Sequence, residues 1–200
     1  MKLFYSGNSP YARRPRIVAR EAGLMDRIEE IDSGPLGGSD SILFNHGPGG
    51  KVPGLLTDNG VYLCESLIIC RYLNDLSGGS LLPSDQKALE DALHIDGIAS
   101  LLMDSLFTRS RENRRDASEQ SPGVIKIEAA RAGRSYDELE KLAGGFGDTV
   151  HLGMTTIVAA LGYADWRHAS DDWRSGRPAL AGWFEKMMQR PSMDETKPIF

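Results

Sequence analysis

Two hundred residues of ordinary apolar content, with a formal net charge of −5, are enough for one large domain or two small ones packed together. The negative balance removes the electrostatic reason to expect nucleic acid or an anionic membrane as a partner. The opening MKLFYSGNSPYARR has too short an apolar run for a secretory h-region, and no later stretch is long enough to span a bilayer, so the expected location is cytoplasmic.

In chain order, KLFY (2–5) reads as a short strand. Polar turn residues and a helix through RIVAREAG follow, with Gly23 where a C-cap belongs. RIEEID (27–32) reads as a second strand, ending in the loop SGPLGGSD (33–40). VPGLLT, the turn DNG and VYLC read as a β-hairpin, because Asn59-Gly60 suits a tight reversal. ESLIICRYLNDL is then an amphipathic helix with Leu67, Ile68, Tyr72 and Leu76 among its apolar positions. The order β-α-β-α-β-β-α makes residues 1–77 an α/β layer of small-domain size.

SGGSLLPSD (77–85) is the boundary, glycine, serine and proline between periodic segments, with 78–84 as linker. Beyond it strand signals almost vanish. Gln86 to about Arg109, Pro122 to Leu142, Thr149 to Tyr163 and Pro178 to Gln189 read as helices, so 85–200 is expected to be an all-α domain.

Cys64 and Cys70 form neither a C-x-x-C pair nor a zinc pattern and are expected to be small buried side chains. His46, His94, His151 and His168 are scattered without metal-ligand spacing, and no metal site is expected. GPGGKVP (47–53) invites a phosphate-loop reading, but Asn45 stands where the first glycine belongs and Val52 where a Ser or Thr should follow the lysine. RSRENRR (109–115) reads as a solvated helix face. Leu101, Leu102, Met103 and Leu106 read as core, and His94 and Trp166 as structural.

Two stretches carry chemistry. In YSGNSPYARRPR (5–16), Ser9 before Pro10 is a helix cap or the holder of an anion, since a helix N-terminus near cations stabilises negative charge. In CES (64–66), Glu65 and Ser66 open a helix, either as a cap or as the pair that binds an α-amino-acid head group. Between them Pro53 starts a strand. If its peptide bond is cis, Val52 can present its backbone to an extended peptide-like ligand.

SPYARR, GGKVP, NGVYLCESLIICRYL and RPALAGWFEKMMQRPSMDETKP, in this order, resemble the glutathione S-transferase family over essentially the whole chain. The resemblance is to a bacterial type with serine in an S-P-Y active-site loop. It implies a thioredoxin-like N-terminal domain followed by a helical-bundle C-terminal domain, a homodimer, and a role in detoxification. Glutathione enters as co-substrate, with no permanently bound cofactor, and attacks a small hydrophobic electrophile received by the helical half. By position, Val52 pairs with the cysteinyl backbone of glutathione, Pro53 is the family's cis-proline, Glu65 and Ser66 hold the γ-glutamyl end, and Lys51 meets the glycine carboxylate.

Ser9 matches the residue beside the sulfur, with Ser6, Asn8 and Tyr5 as rivals and Tyr11 a candidate for the electrophile pocket. The alternatives are a non-catalytic binding or regulatory module and a glutathione-dependent peroxidase or isomerase. Two departures stand out. Pro15 falls inside helix 1 and predicts a kink or a start near Arg14. The S/T-x-x-D capping box of the family's buried helix falls on His151 and Met154, so Asp148 or Thr149 is expected to cap and the helix start to shift or weaken.

Overall fold

The computed structural model describes residues 1–34, 36, 38 and 41–198. Pro35, Gly37, Ser39 and Asp40, in the loop expected after the second strand, lie outside the described residues. The chain divides into two compact units, Met1–Pro83 with Pro191–Phe200, and Ser84–Arg190.

The first unit contains β1 (Lys2–Tyr5), α1 (Pro10–Glu21), β2 (Glu29–Asp32), β3 (Gly54–Leu56), β4 (Tyr62–Cys64) and α2 (Ser66–Leu76). The sheet runs β2-β1-β3-β4, with β1 parallel to β2 and the other two pairs antiparallel. This is the thioredoxin-like arrangement. β1 is central: Leu3 and Phe4 point to opposite faces of the sheet, and both are fully buried. Where a second helix was expected between β2 and β3, the described residues hold only a 3-10 turn, Ile42–Asn45, capped by Ser41. Four residues with a polar Asn and no following periodicity do not sustain a regular helix.

The expected late start of α1 is not what the fold adopts. The helix begins at Pro10, directly after Ser9, and runs through Pro15. Pro15 removes one backbone rung, a cost that tertiary contacts on the same helix offset. Arg13 is buried and donates to the Met193 carbonyl (3.1 Å) and the Thr196 hydroxyl (3.4 Å). Ser192 bonds Glu21, and Arg20 reaches Glu195 at 3.0 Å. These contacts draw the C-terminal segment, with α7 (Pro191–Asp194), onto the first unit. The helical unit therefore ends at Arg190 rather than at residue 200.

α2 buries Ile69, Cys70 and Leu73, whereas Leu67 and Ile68 are exposed. Cys64 is also exposed, contrary to expectation, because it ends β4 at the rim of the sheet.

The second unit consists of α3 (Gln86–Glu112), α4 (Pro122–Ala143), α5 (Leu152–Arg167) and α6 (Pro178–Met187), with α3 packed on both α4 and α5. Asp85 and Ser121 cap α3 and α4 by accepting from Ala88 and Val124. Helix α6 takes its cap from a neighbour: the Glu140 carboxylate on α4 accepts from the Ala179 and Leu180 amides at 3.1 and 2.7 Å. Helix α5 is buried nearly all round.

The expected upstream cap of α5 is replaced. His151 itself caps, its Nδ1 accepting from the Gly153 amide at 3.2 Å, while Asp148 pairs with Lys186. In RSRENRR, Arg109 is buried rather than solvated, and Leu101, expected in the core, is exposed. Leu102, Met103 and Leu106 are core, His94 is exposed, and Trp166 packs edge-on to Tyr163. No helix among the described residues is long and apolar enough to cross a membrane.

Candidate functional site

Strand register gathers the candidate residues at one end of the sheet. Phe4, Gly54 and Cys64 align in a row across β1, β3 and β4. Leaving that row, β1 runs into Ser6–Ser9 and the start of α1. The chain enters β3 from Val52 and Pro53, and β4 runs into Glu65 and Ser66 at the start of α2. Two helix N-termini and one unpaired backbone segment therefore share one rim, an arrangement that favours a ligand with negative charge and a peptide backbone.

Ser9 is the N-cap of α1 in extended conformation, and its Oγ accepts from the Ala12 amide at 3.2 Å. A hydroxyl that accepts still carries its own hydrogen to donate. Of the rivals, Ser6 donates its hydroxyl to the Asn8 side-chain oxygen at 3.3 Å. The Tyr5 ring is half-buried against the core and has the Arg16 guanidinium 4.1 Å from its centroid. Tyr11 lies in the first turn of α1, partly exposed.

The Val52–Pro53 peptide bond is cis. Val52 is buried in a cluster with Phe4, Ala12 and Leu43, while Lys51 just before it is exposed. That cluster ties Val52 to Ala12, whose amide is the one Ser9 caps. Glu65 is exposed and stands at φ 69°, a region that side-chain-bearing residues seldom occupy, and its carbonyl accepts from the Ile69 amide. Ser66 follows as the buried first residue of α2. Such strain concentrates at functional sites and costs on the order of 1–3 kcal/mol.

Sequence reasoning missed the support beneath α1. Glu30 on β2 accepts two bonds from Arg16 (2.9 and 3.2 Å) and two from Arg20 (2.8 and 3.0 Å). Burial pushes the Glu30 carboxyl up, but the hydrogen bonds from Arg20 and Arg16 outweigh it and hold it below the usual carboxylate range. The only signal was a run of arginines on a helix whose neighbouring strand carries an inward Glu. Among the described residues, no group of three or more His, Cys, Asp or Glu could hold a metal ion.

Residues 8–76 match the family model of the glutathione S-transferase N-terminal domain. The uncharacterized GST-like protein YibF of Escherichia coli (strain K12) is 32% identical, over 99% of this chain and 98% of its own. A glutathione transferase family member from Pseudomonas fluorescens Pf-5, solved with bound glutathione, superposes with a TM-score of 0.93 at 29% identity, covering 100% of this chain and 99% of that one. A glutathione S-transferase from Methylobacillus flagellatus KT with glutathione bound gives 0.91 at 27% identity, covering 99% of each chain. On its sequence and its fold, the chain belongs to the glutathione S-transferase family.

Proposed function

We propose that the protein is a catalytic glutathione transferase of the bacterial S-P-Y type, activating the glutathione thiol for attack on a small hydrophobic electrophile. The observation that carries this reading is Ser9 at the N-cap of α1. A free thiol with pKa about 8.5 is mostly protonated at neutral pH, and only the thiolate attacks. A donor hydroxyl at the positive end of a helix lowers that pKa. Ser9 donates to the sulfur; it does not itself attack, and the absence of cysteine at this position argues against disulfide exchange.

The remaining groups hold the tripeptide. The Val52 backbone pairs with the cysteinyl unit beside Pro53, Glu65 and Ser66 take the γ-glutamyl head, and Lys51 takes the glycine carboxylate. Tyr11 contacts the electrophile. Glutathione enters as a co-substrate, and a homodimer is the assembled form. The dimer reading is supported by the exposed apolar side chains Val61, Leu67 and Ile68 on the hairpin and α2. The glutathione-bound relatives support the ligand.

Millimolar glutathione tests the reading, because a ligand at about 100-fold above its Kd stabilises the native state by about 2.7 kcal/mol. The melting temperature should rise by several degrees, and a generic aryl halide should be conjugated. No shift and no conjugation would leave a non-catalytic module. A shift without conjugation would favour peroxide reduction or isomerisation at the same site.

A further inference from the structure

The glycine-rich stretch GPGG (47–50), with Gly54, is not a phosphate cradle, yet Gly47, Gly50 and Gly54 have a packing reason. A methyl group on Gly54 would lie 1.8 Å from the Tyr62 Oη and 2.3 Å from its Cζ. One on Gly47 would lie 2.9 Å from Cε1 of the same ring. The Tyr62 side chain therefore rests directly on backbone at both ends of the 47–54 segment. Its middle is covered too, since a methyl on Gly50 would meet the Phe44 ring at 2.7 Å.

Tyr62 is itself held in place. The His46 ring stacks on it at 5.5 Å between centroids with the planes 20° apart, and Phe4 packs against both at 5.0 and 6.1 Å. The ring also abuts the cluster of Phe4, Ala12, Leu43 and Val52. One aromatic residue on β4 thus touches the sheet, the cluster behind α1, and both ends of the segment that carries Lys51, Val52 and Pro53.

We infer that Tyr62 is a positioning residue for glutathione: its ring clamps the 47–54 segment and sets the Val52 backbone and Lys51 where the tripeptide meets them. The inference rests on the glutathione reading of that segment. It assigns Gly47 and Gly54 to close packing against Tyr62, and it predicts that the ring rather than the hydroxyl supplies the clamp. Preorganisation of this kind acts on binding and leaves the bound-state chemistry at Ser9 alone.

The test compares wild type with Tyr62→Leu, Tyr62→Ala and Tyr62→Phe. Two quantities are read: glutathione Kd with kcat at saturating glutathione, and, without ligand, hydrogen exchange of the Gly47 amide, which donates to the Leu43 carbonyl at 3.0 Å. In the Leu and Ala variants Kd should rise about tenfold or more while kcat stays within about twofold. Exchange at Gly47 should accelerate severalfold, with α1 and β2 amides unchanged. Tyr62→Phe should restore both. Should the Ala chain fail to fold, the Leu variant carries the comparison.

Unchanged Kd and exchange in a folded Leu variant would overturn the clamp, as would a Phe variant that loses as much as Ala. If wild type binds no glutathione, the functional reading falls. The exchange data on ligand-free protein then still decide the clamp, acceleration supporting it and unchanged rates overturning it.

Discussion

Ser9 serves its helix and its proposed ligand through one oxygen, accepting from Ala12 while keeping a hydrogen to give. The cap was legible in the sequence, because serine before proline marks a helix start whatever follows. Gly54 was not, since what forbids a side chain there is Tyr62, eight residues on and brought over it by the hairpin. Replacing Gly54 by Ala should destabilise the protein by roughly 1–3 kcal/mol, because a packed ring has to move. Chemical denaturation should show this, and adding Tyr62→Leu should recover part of the loss. Equal stability of the single variant and wild type would contradict the close approach.

Helix α1 shows where local pattern and tertiary context part. Pro15 reads as a breaker, yet the helix continues through it, held by buried arginines that no periodicity rule places inside. Glu30 is the partner of one of them, Arg16, and of the half-buried Arg20. Glu30→Gln leaves Arg16 short of its carboxylate and Arg20 with Glu195 alone, and should cost about 1–3 kcal/mol by denaturant titration, between an exposed and a fully buried pair. A loss below about 1 kcal/mol, typical of exposed pairs, would contradict the buried network. The cap of α5 followed the same logic, with imidazole Nδ1 of His151 doing what Ser or Thr does elsewhere. The strands, the hairpin and the long helices were legible from alternation and period. The caps of α5 and α6 were not, because His151 and Glu140 act through geometry outside any local motif.

Across the two units, acid should undo the protein in two steps. His168 accepts from the Arg109 Nε at Nδ1 (3.1 Å) and donates Nε2–H to the Leu106 carbonyl (2.9 Å), which only the neutral ring can do. Burial lowers its pKa, against the opposing Leu106 bond, and burial lowers that of His151 as well. The unfolded chain thus binds more protons, so stability falls as pH drops through about 6.5, the unfolded value. Glu30, held below its ordinary value, adds stability above its unfolded pKa that is lost as pH falls further, below about 4. Melting temperatures between pH 8 and 3 should decline first near 6.5 and again in the acid range. A flat profile from pH 8 to 5 would contradict a neutral ring at the buried His168 and the half-buried His151.

The division into an α/β half and a helical half was legible from the loss of strand signals after Ser77. The return of residues 191–198 to the first half was not, because it depends on Arg13 and Arg20 some 175 to 183 positions away. The anion proposed at the α1 terminus is tested most directly by titrating the thiolate absorbance of protein-bound glutathione in wild type, Ser9→Ala and Ser6→Ala. The bound thiol should titrate well below 8.5 in wild type and in Ser6→Ala. In Ser9→Ala it should rise by about one unit or more, the worth of a hydrogen bond to a charged group. A bound thiol with the same pKa in Ser9→Ala as in wild type would contradict the role assigned to Ser9.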